Sequence, residues 1–187
     1  MKHIAFDLEL ERPNTESEAS DSLLTEERII QLGYVVFSVD PFRVYCQNSI
    51  VVNPGVSKLS GFIKKLTGIT DLDIQNGVPL EYAVDTLLYD ATRFETYRVL
   101  KQWGGGDQDC LKQEVGNKMD YFGRSGCNVK HLYQIYAEAN GLNRSGGLKK
   151  CLRRCGLEWE GKAHNAMYDA LNTAKMYDFL VNKMRDK

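Results

Sequence analysis

Lys2-His3-Ile4-Ala5-Phe6-Asp7-Leu8-Glu9-Leu10 is the stretch on which the reading of this chain turns. Ile4, Phe6, Leu8 and Leu10 alternate with Ala5, Asp7 and Glu9, the period of two expected of a strand with an apolar face. Asp7 and Glu9 then share the opposite face, their Cα atoms about 6.5 Å apart. That is close enough to hold one metal between them. Two carboxylates beside a core are costly to bury unless water or a cation compensates them. Taken alone, the pair is better read as an edge strand showing two acids to solvent, since acids on exposed strand faces are common.

The rest of the composition narrows the class. With 187 residues, 43% hydrophobic and 26% charged, the chain is long enough for one globular domain with a full core, expected to span 1–187. Lys and Arg number 24 against 25 Asp and Glu, a net charge of −1, so no global field draws in a polyanion and any nucleic acid must be gripped locally. No apolar run is long enough to span a bilayer and no signal-peptide pattern is visible, so no membrane contact and a cytoplasmic location are expected. Five cysteines without a C-x-x-C pair point to reduced, mostly buried thiols.

Along the chain, residues 11–27 form a polar stretch with six acids and one arginine, expected to be an acidic loop insert, either a passive surface loop or a lid beside the site. Residues 28–39 are nearly all apolar, as in a central strand buried on both faces, and 44–52 return as a third strand. The spacing predicts a helix over 56–67 with Leu59, Phe62, Ile63 and Leu66 on one stripe and Gly68 as its stop. A second helix is predicted over 80–92, with Tyr82, Ala83, Leu87 and Leu88 inward. A short strand over 97–103 is broken by Gly104-Gly105-Gly106, and Asp107 opens the next helix.

A short fifth strand is expected at 127–130, followed by a helix through Ala139. The helix 148–155 sets Lys149, Lys150, Arg153 and Arg154 opposite an apolar stripe, a solvated face or one that meets phosphates. The last and longest helix, 166–184, carries small residues on one face and Asp169 at its edge. His164 lies just before it.

Three short motifs, in order, resemble the DEDDh branch of the DnaQ-like 3′-to-5′ exonucleases. Phe6-Asp7-Leu8-Glu9 looks like the first, Trp103-Gly104-Gly105-Gly106-Asp107 with Cys110-Leu111 like the second, and His164-x-x-x-x-Asp169 like the third. Arg28-Ile29-Ile30-Gln31-Leu32-Gly33 and Leu66-Thr67-Gly68-Ile69-Thr70 are similar too, so the likeness covers nearly the whole chain. It is nearest to the exoribonuclease-like branch.

The resemblance implies an α/β, ribonuclease H-like fold, a mixed five-stranded sheet flanked by helices. It implies that Asp7, Glu9, Asp107 and Asp169 hold two divalent cations, Mg²⁺ or Mn²⁺, in keeping with the preference of hard ions for carboxylate oxygens. His164 would be the general base toward the attacking water, a role suited to an imidazole that titrates near neutral pH. Leu10, Glu11, Phe62 and Leu66 would contact the terminal nucleotide. The expected partner is the 3′ end of single-stranded RNA or DNA.

The expected activity is thus metal-dependent 3′-to-5′ hydrolysis releasing nucleoside monophosphates, with RNA favoured. A DNA-directed exonuclease, for proofreading or degradation, is the alternative within the class. Outside it stands a non-catalytic nucleic-acid-binding module, against which the five filled catalytic positions speak.

Overall fold

The computed structural model describes residues 1–12 and 26–185. The insert expected at 11–27 falls mostly outside them, and the choice between lid and passive loop lies there. Among the described residues no helix is long and apolar enough to cross a membrane.

Five strands form one sheet in the order β3-β2-β1-β4-β5: β1 Lys2–Glu11, β2 Arg28–Ser38, β3 Arg43–Val51, β4 Thr96–Gln102 and β5 Cys127–Asn128. β1 pairs antiparallel with β2 and parallel with β4, so the sheet is mixed as expected. The alternation in β1 sends its two sets of side chains into two different cores. Ile4, Phe6 and Leu8 pack with Leu80, Val84 and Leu87 of α3 (Leu80–Arg93) and with Leu111 of α4 (Asp107–Val115). Burying a side chain such as Phe6 contributes about 1.5–3 kcal/mol. On the other face Ala5 and Val35 meet Ala170, Leu171 and Ala174 of the C-terminal helix Ala166–Arg185. Small residues on that helix let it lie close over the strands.

The helix predicted over 56–67 is shorter. It is α1, Gly61–Thr67, with the Ser60 side chain capping its start by accepting from the Ile63 amide and Gly68 ending it in a left-handed conformation. The chain before it is drawn away from helical geometry because the Leu59 amide donates to Asp71 Oδ1 at 2.8 Å. A further short helix, α2 (Asp71–Gln75), was not expected; Thr70 and Asp73 close a reciprocal capping box at its start.

Tyr82, expected to point inward, is 60% exposed, and Phe62 on the α1 stripe is 58% exposed. Leu88 is half-buried beside the core that holds Ala83 and Leu87. Four of the five cysteines are half-buried rather than buried, and all are free thiols.

A 3₁₀ helix, Gly116–Tyr121, follows α4, and α5 (Val129–Ala139) and α6 (Leu148–Arg154) precede the C-terminal helix, α7. α5, α6 and α7 share a core around Tyr133, Cys151, Leu152, Met176 and Leu180.

Candidate active site

The end of β1 is shaped by a register shift between Glu9 and Leu10, where Glu9 faces Gln31 and Leu10 faces Ile29. The residue skipped on β2, Ile30, is wholly buried against Leu59, Ile63 and Ile74. Such a bulge re-aims side chains where pairing ends, and here it follows directly on the two acids. Asp7 sits opposite Gly33 in the ladder. A Cβ on Gly33 would lie 2.0 Å from the Met167 amide nitrogen, so only glycine lets the first turn of α7 settle on β2. Gln31 fixes the same junction: its Oε1 accepts from the Ala166 amide at 2.9 Å while its Nε2 donates to Ser49 at 3.0 Å. Asp169, in that first turn, is thereby carried to Asp7 and Glu9.

Asp107 arrives from the other side. Gly106, at φ 117, turns the chain from β4 into α4, and Asp107 is the first helical residue rather than its cap. The Gln108 amide next to it donates to Gln102 Oε1 at 3.0 Å, tying the helix start to the end of β4.

The four carboxylates lie within electrostatic reach of one another. Burial raises Asp7 well above the usual carboxylate range, and Asp107, Asp169 and Glu9 raise it further. Glu9 is pushed up to about 7 by burial and then by Asp169 and Asp107. Burial lifts Asp107 to about 6, and it lifts Asp169 to about 6 against the opposing hydrogen bond from the His164 amide and the nearby imidazole. Four acids held this way favour protons or cations over empty space.

Glu9, His164 and Asp169 each offer a donor atom, all within 4.8 Å of one another. Asp169 Oδ1 is buried without a hydrogen-bond partner, an orphan that a cation would satisfy. Hard oxygen donors in this number fit a divalent ion. That His164 comes so close to two of the acids could not be read from spacing alone.

The positions expected to touch the terminal nucleotide divide. Phe62 is exposed on α1, Leu66 is half-buried on the same helix and Leu10 is half-buried against the main core. Glu11 is wholly buried, and its Oε2 accepts from the Ser60 amide at 3.0 Å and the Ser60 hydroxyl at 3.3 Å. Its contacts are therefore with the start of α1. The His164 loop is joined to the far end of α1 by Lys162, whose ammonium donates to the Thr67 carbonyl at 2.8 Å. Sequence reasoning assigned no role to Gln31, Gly33 or Lys162. A polar residue and a glycine inside an otherwise apolar strand were the signal for the first two.

Residues 4–177 match the family model RNase_T, described as exonuclease. The chain belongs to this exonuclease family. Membership makes it a hydrolase acting on nucleic acid. No curated protein sequence matches the chain.

Among solved structures, the nuclease domain of 3′hExo, a DEDDh family member, bound to rAMP, superposes with TM-score 0.76 at 18% identity, covering 97% of this chain and 92% of that one. Cell-death related nuclease 4 (CRN-4) gives 0.79 at 17%, covering 97% of this chain and 64% of its own. E. coli Exonuclease I in complex with a dT13 oligonucleotide gives 0.67 at 14%, with 99% of this chain and 42% of the larger enzyme covered. These likenesses establish the fold, the mixed sheet flanked by helices that the motifs implied.

Proposed function

We propose that this exonuclease family member is a divalent-metal-dependent 3′-to-5′ exonuclease that hydrolyses single-stranded nucleic acid from its 3′ end and releases nucleoside 5′-monophosphates. The observation that carries the reading is the clustering of Asp7, Glu9, Asp107 and Asp169, with Asp169 Oδ1 left unpartnered and the His164 ring beside Glu9 and Asp169. The four carboxylates would hold two cations, Mg²⁺ or Mn²⁺, which when bound would offset charge on the phosphoryl and leaving oxygens.

His164 is exposed at the edge of the cleft, and its imidazole nitrogen takes the proton of the attacking water. The water oxygen bonds to phosphorus as the bond to the 3′ oxygen of the preceding nucleotide breaks, and that oxygen takes a proton from solvent, leaving a shortened strand with a 3′ hydroxyl. Phe62 and Leu10 offer apolar surface to the terminal nucleotide.

RNA is the favoured substrate, in line with the rAMP bound to 3′hExo. DNA is the second reading, favoured by the dT13 complex of Exonuclease I.

The test is trimming of matched 5′-labelled single-stranded RNA and DNA with Mg²⁺, Mn²⁺ or chelator. Asp7→Ala and Asp169→Ala should abolish a ladder that shortens from the 3′ end. Trimming that survives both substitutions, or survives chelation, overturns the reading.

A further inference from the structure

Beyond the acids, the site opens into a cleft of about 780 Å³ that the catalytic assignment leaves unused. Asp7, His164 and Asp169 line it together with Lys149, Lys150 and Arg153 of α6, Leu157 and Trp159 after that helix, and Trp103. Leu148, Cys151 and Leu152 are buried in the core, which forces the cations on the intervening positions outward. All three are exposed, and among the described residues none has a carboxylate partner in an ion pair. Besides Asp7 and Asp169, Glu158 is the one acid among its lining residues. Lys149 lies over the Trp159 ring at 5.7 Å from its centroid, and the Trp159 indole N–H is held by the Gly161 carbonyl at 3.0 Å. The ring is thus fixed with a cation beside it, in a chain whose overall charge is slightly negative.

Exposed cations sharing a cleft with two half-buried indoles suit a backbone of phosphates bearing unpaired bases, since every base has a face to stack and each phosphate a charge to neutralise. A duplex would hide those faces. We propose that the α6 face, with Lys149, Lys150, Arg153 and Trp159, is a strand-binding subsite that holds the nucleotides on the 5′ side of the scissile phosphodiester and selects single strands longer than a dinucleotide. This rests on the exonuclease reading for its polarity: the terminal nucleotide lies toward α1, and the remaining strand leaves across α6.

The experiment compares the full chain with the variant Lys149→Gln, Lys150→Gln, Arg153→Gln. The control is Lys2→Gln, Arg43→Gln, Arg93→Gln, which removes the same charge at the opposite end of β1, where Lys2 pairs with Ser38, Ser38 with Arg43, and Lys2 and Arg93 both lie over the Phe94 ring. Steady-state kinetics are measured on an oligonucleotide of about twelve residues and on a dinucleotide. In parallel, fluorescence anisotropy with chelator present reads binding of the labelled oligonucleotide without cleavage. The α6 variant should raise KM for the oligonucleotide by about tenfold or more, several times its effect on the dinucleotide, and lower the slope of log affinity against log salt by about 2.

Trp159→Ala should weaken oligonucleotide binding about tenfold. Equal effects on both substrates, or oligonucleotide binding as tight as in the control variant, overturn the subsite. Should no preparation cleave anything, the exonuclease reading fails while anisotropy still decides whether the α6 face binds a strand.

Discussion

The main-chain amide of His164 donates to Oδ2 of Asp169 at 3.1 Å, so the residue assigned to take the proton is tethered to a carboxylate assigned to hold the cations. His164 adopts φ 59, a left-handed conformation that the tether helps to maintain. The bond occupies one oxygen and leaves Oδ1 buried without a partner. A single side chain thus positions the proposed base and presents the proposed cation ligand.

Asp169→Asn separates those two duties, because an amide oxygen can still accept from the His164 amide. It should retain a cooperative unfolding transition but lose turnover by about a hundredfold or more and lose most of the thermal stabilisation given by Mn²⁺. His164→Ala should lower kcat by about 10²–10⁴ while cations still raise the melting temperature. If the His164 variant loses the cation response and keeps kcat, ligand and base have been assigned the wrong way round.

The raised carboxylates make metal-free stability depend on pH with a definite sign. A carboxylate whose folded pKa lies above its unfolded value contributes stability that is whole below about pH 4 and lost as pH rises through the folded value. Glu9 at about 7, and Asp107 and Asp169 at about 6, place that loss between about pH 4 and 7. His3, lowered to about 4 by burial, works in the opposite sense over part of the range. The difference between cation-saturated and chelated protein cancels His3. That gap in melting temperature should be wider at about pH 8 than at about pH 5, by several degrees. A gap that does not change with pH would contradict the clustered-acid geometry.

Gly33→Ala should be among the most damaging substitutions, since the added methyl meets the backbone of Met167 and Ala166 rather than a yielding side chain. A loss of about 3 kcal/mol or more is expected, with activity falling further as α7 carries Asp169 away from Asp7. Gln31→Leu strands the Ala166 amide and should cost about 1–3 kcal/mol. Denaturant titration measures both, and a Gly33→Ala midpoint equal to that of the parent would refute the close approach.

Phe62 and Glu11, expected together at the terminal nucleotide, should separate cleanly. Phe62→Ala removes an exposed ring, so stability should stay within about 0.5 kcal/mol while KM rises several-fold. Glu11→Ala removes the acceptor for the Ser60 amide and should destabilise by about 1–3 kcal/mol. Thermal melts beside KM values distinguish the two, and a destabilised Phe62→Ala variant would mean that the ring supports the fold.

Strand β1, the central strand β2, the glycine turn before Asp107 and the long last helix were legible because each depends on local periodicity or backbone freedom, which neighbouring residues reveal. Asp7 and Glu9 had to share a face for the same reason, and the five motif positions could be named from their order. Contacts between distant segments had no such trace. Nothing near Glu11 says that Ser60 will claim its carboxylate, and nothing in the α1 stripe says that Phe62 will stay exposed. Gly33 reads as a mere weakness in a strand until α7 lies on it. What the sequence alone determined was which residues carry charge and which face of each element they occupy. The tertiary structure decided which of those charges meet, because the low-dielectric surroundings that lift the four acids and the cleft that joins them to α6 exist only once β1, α4 and α7 have packed together.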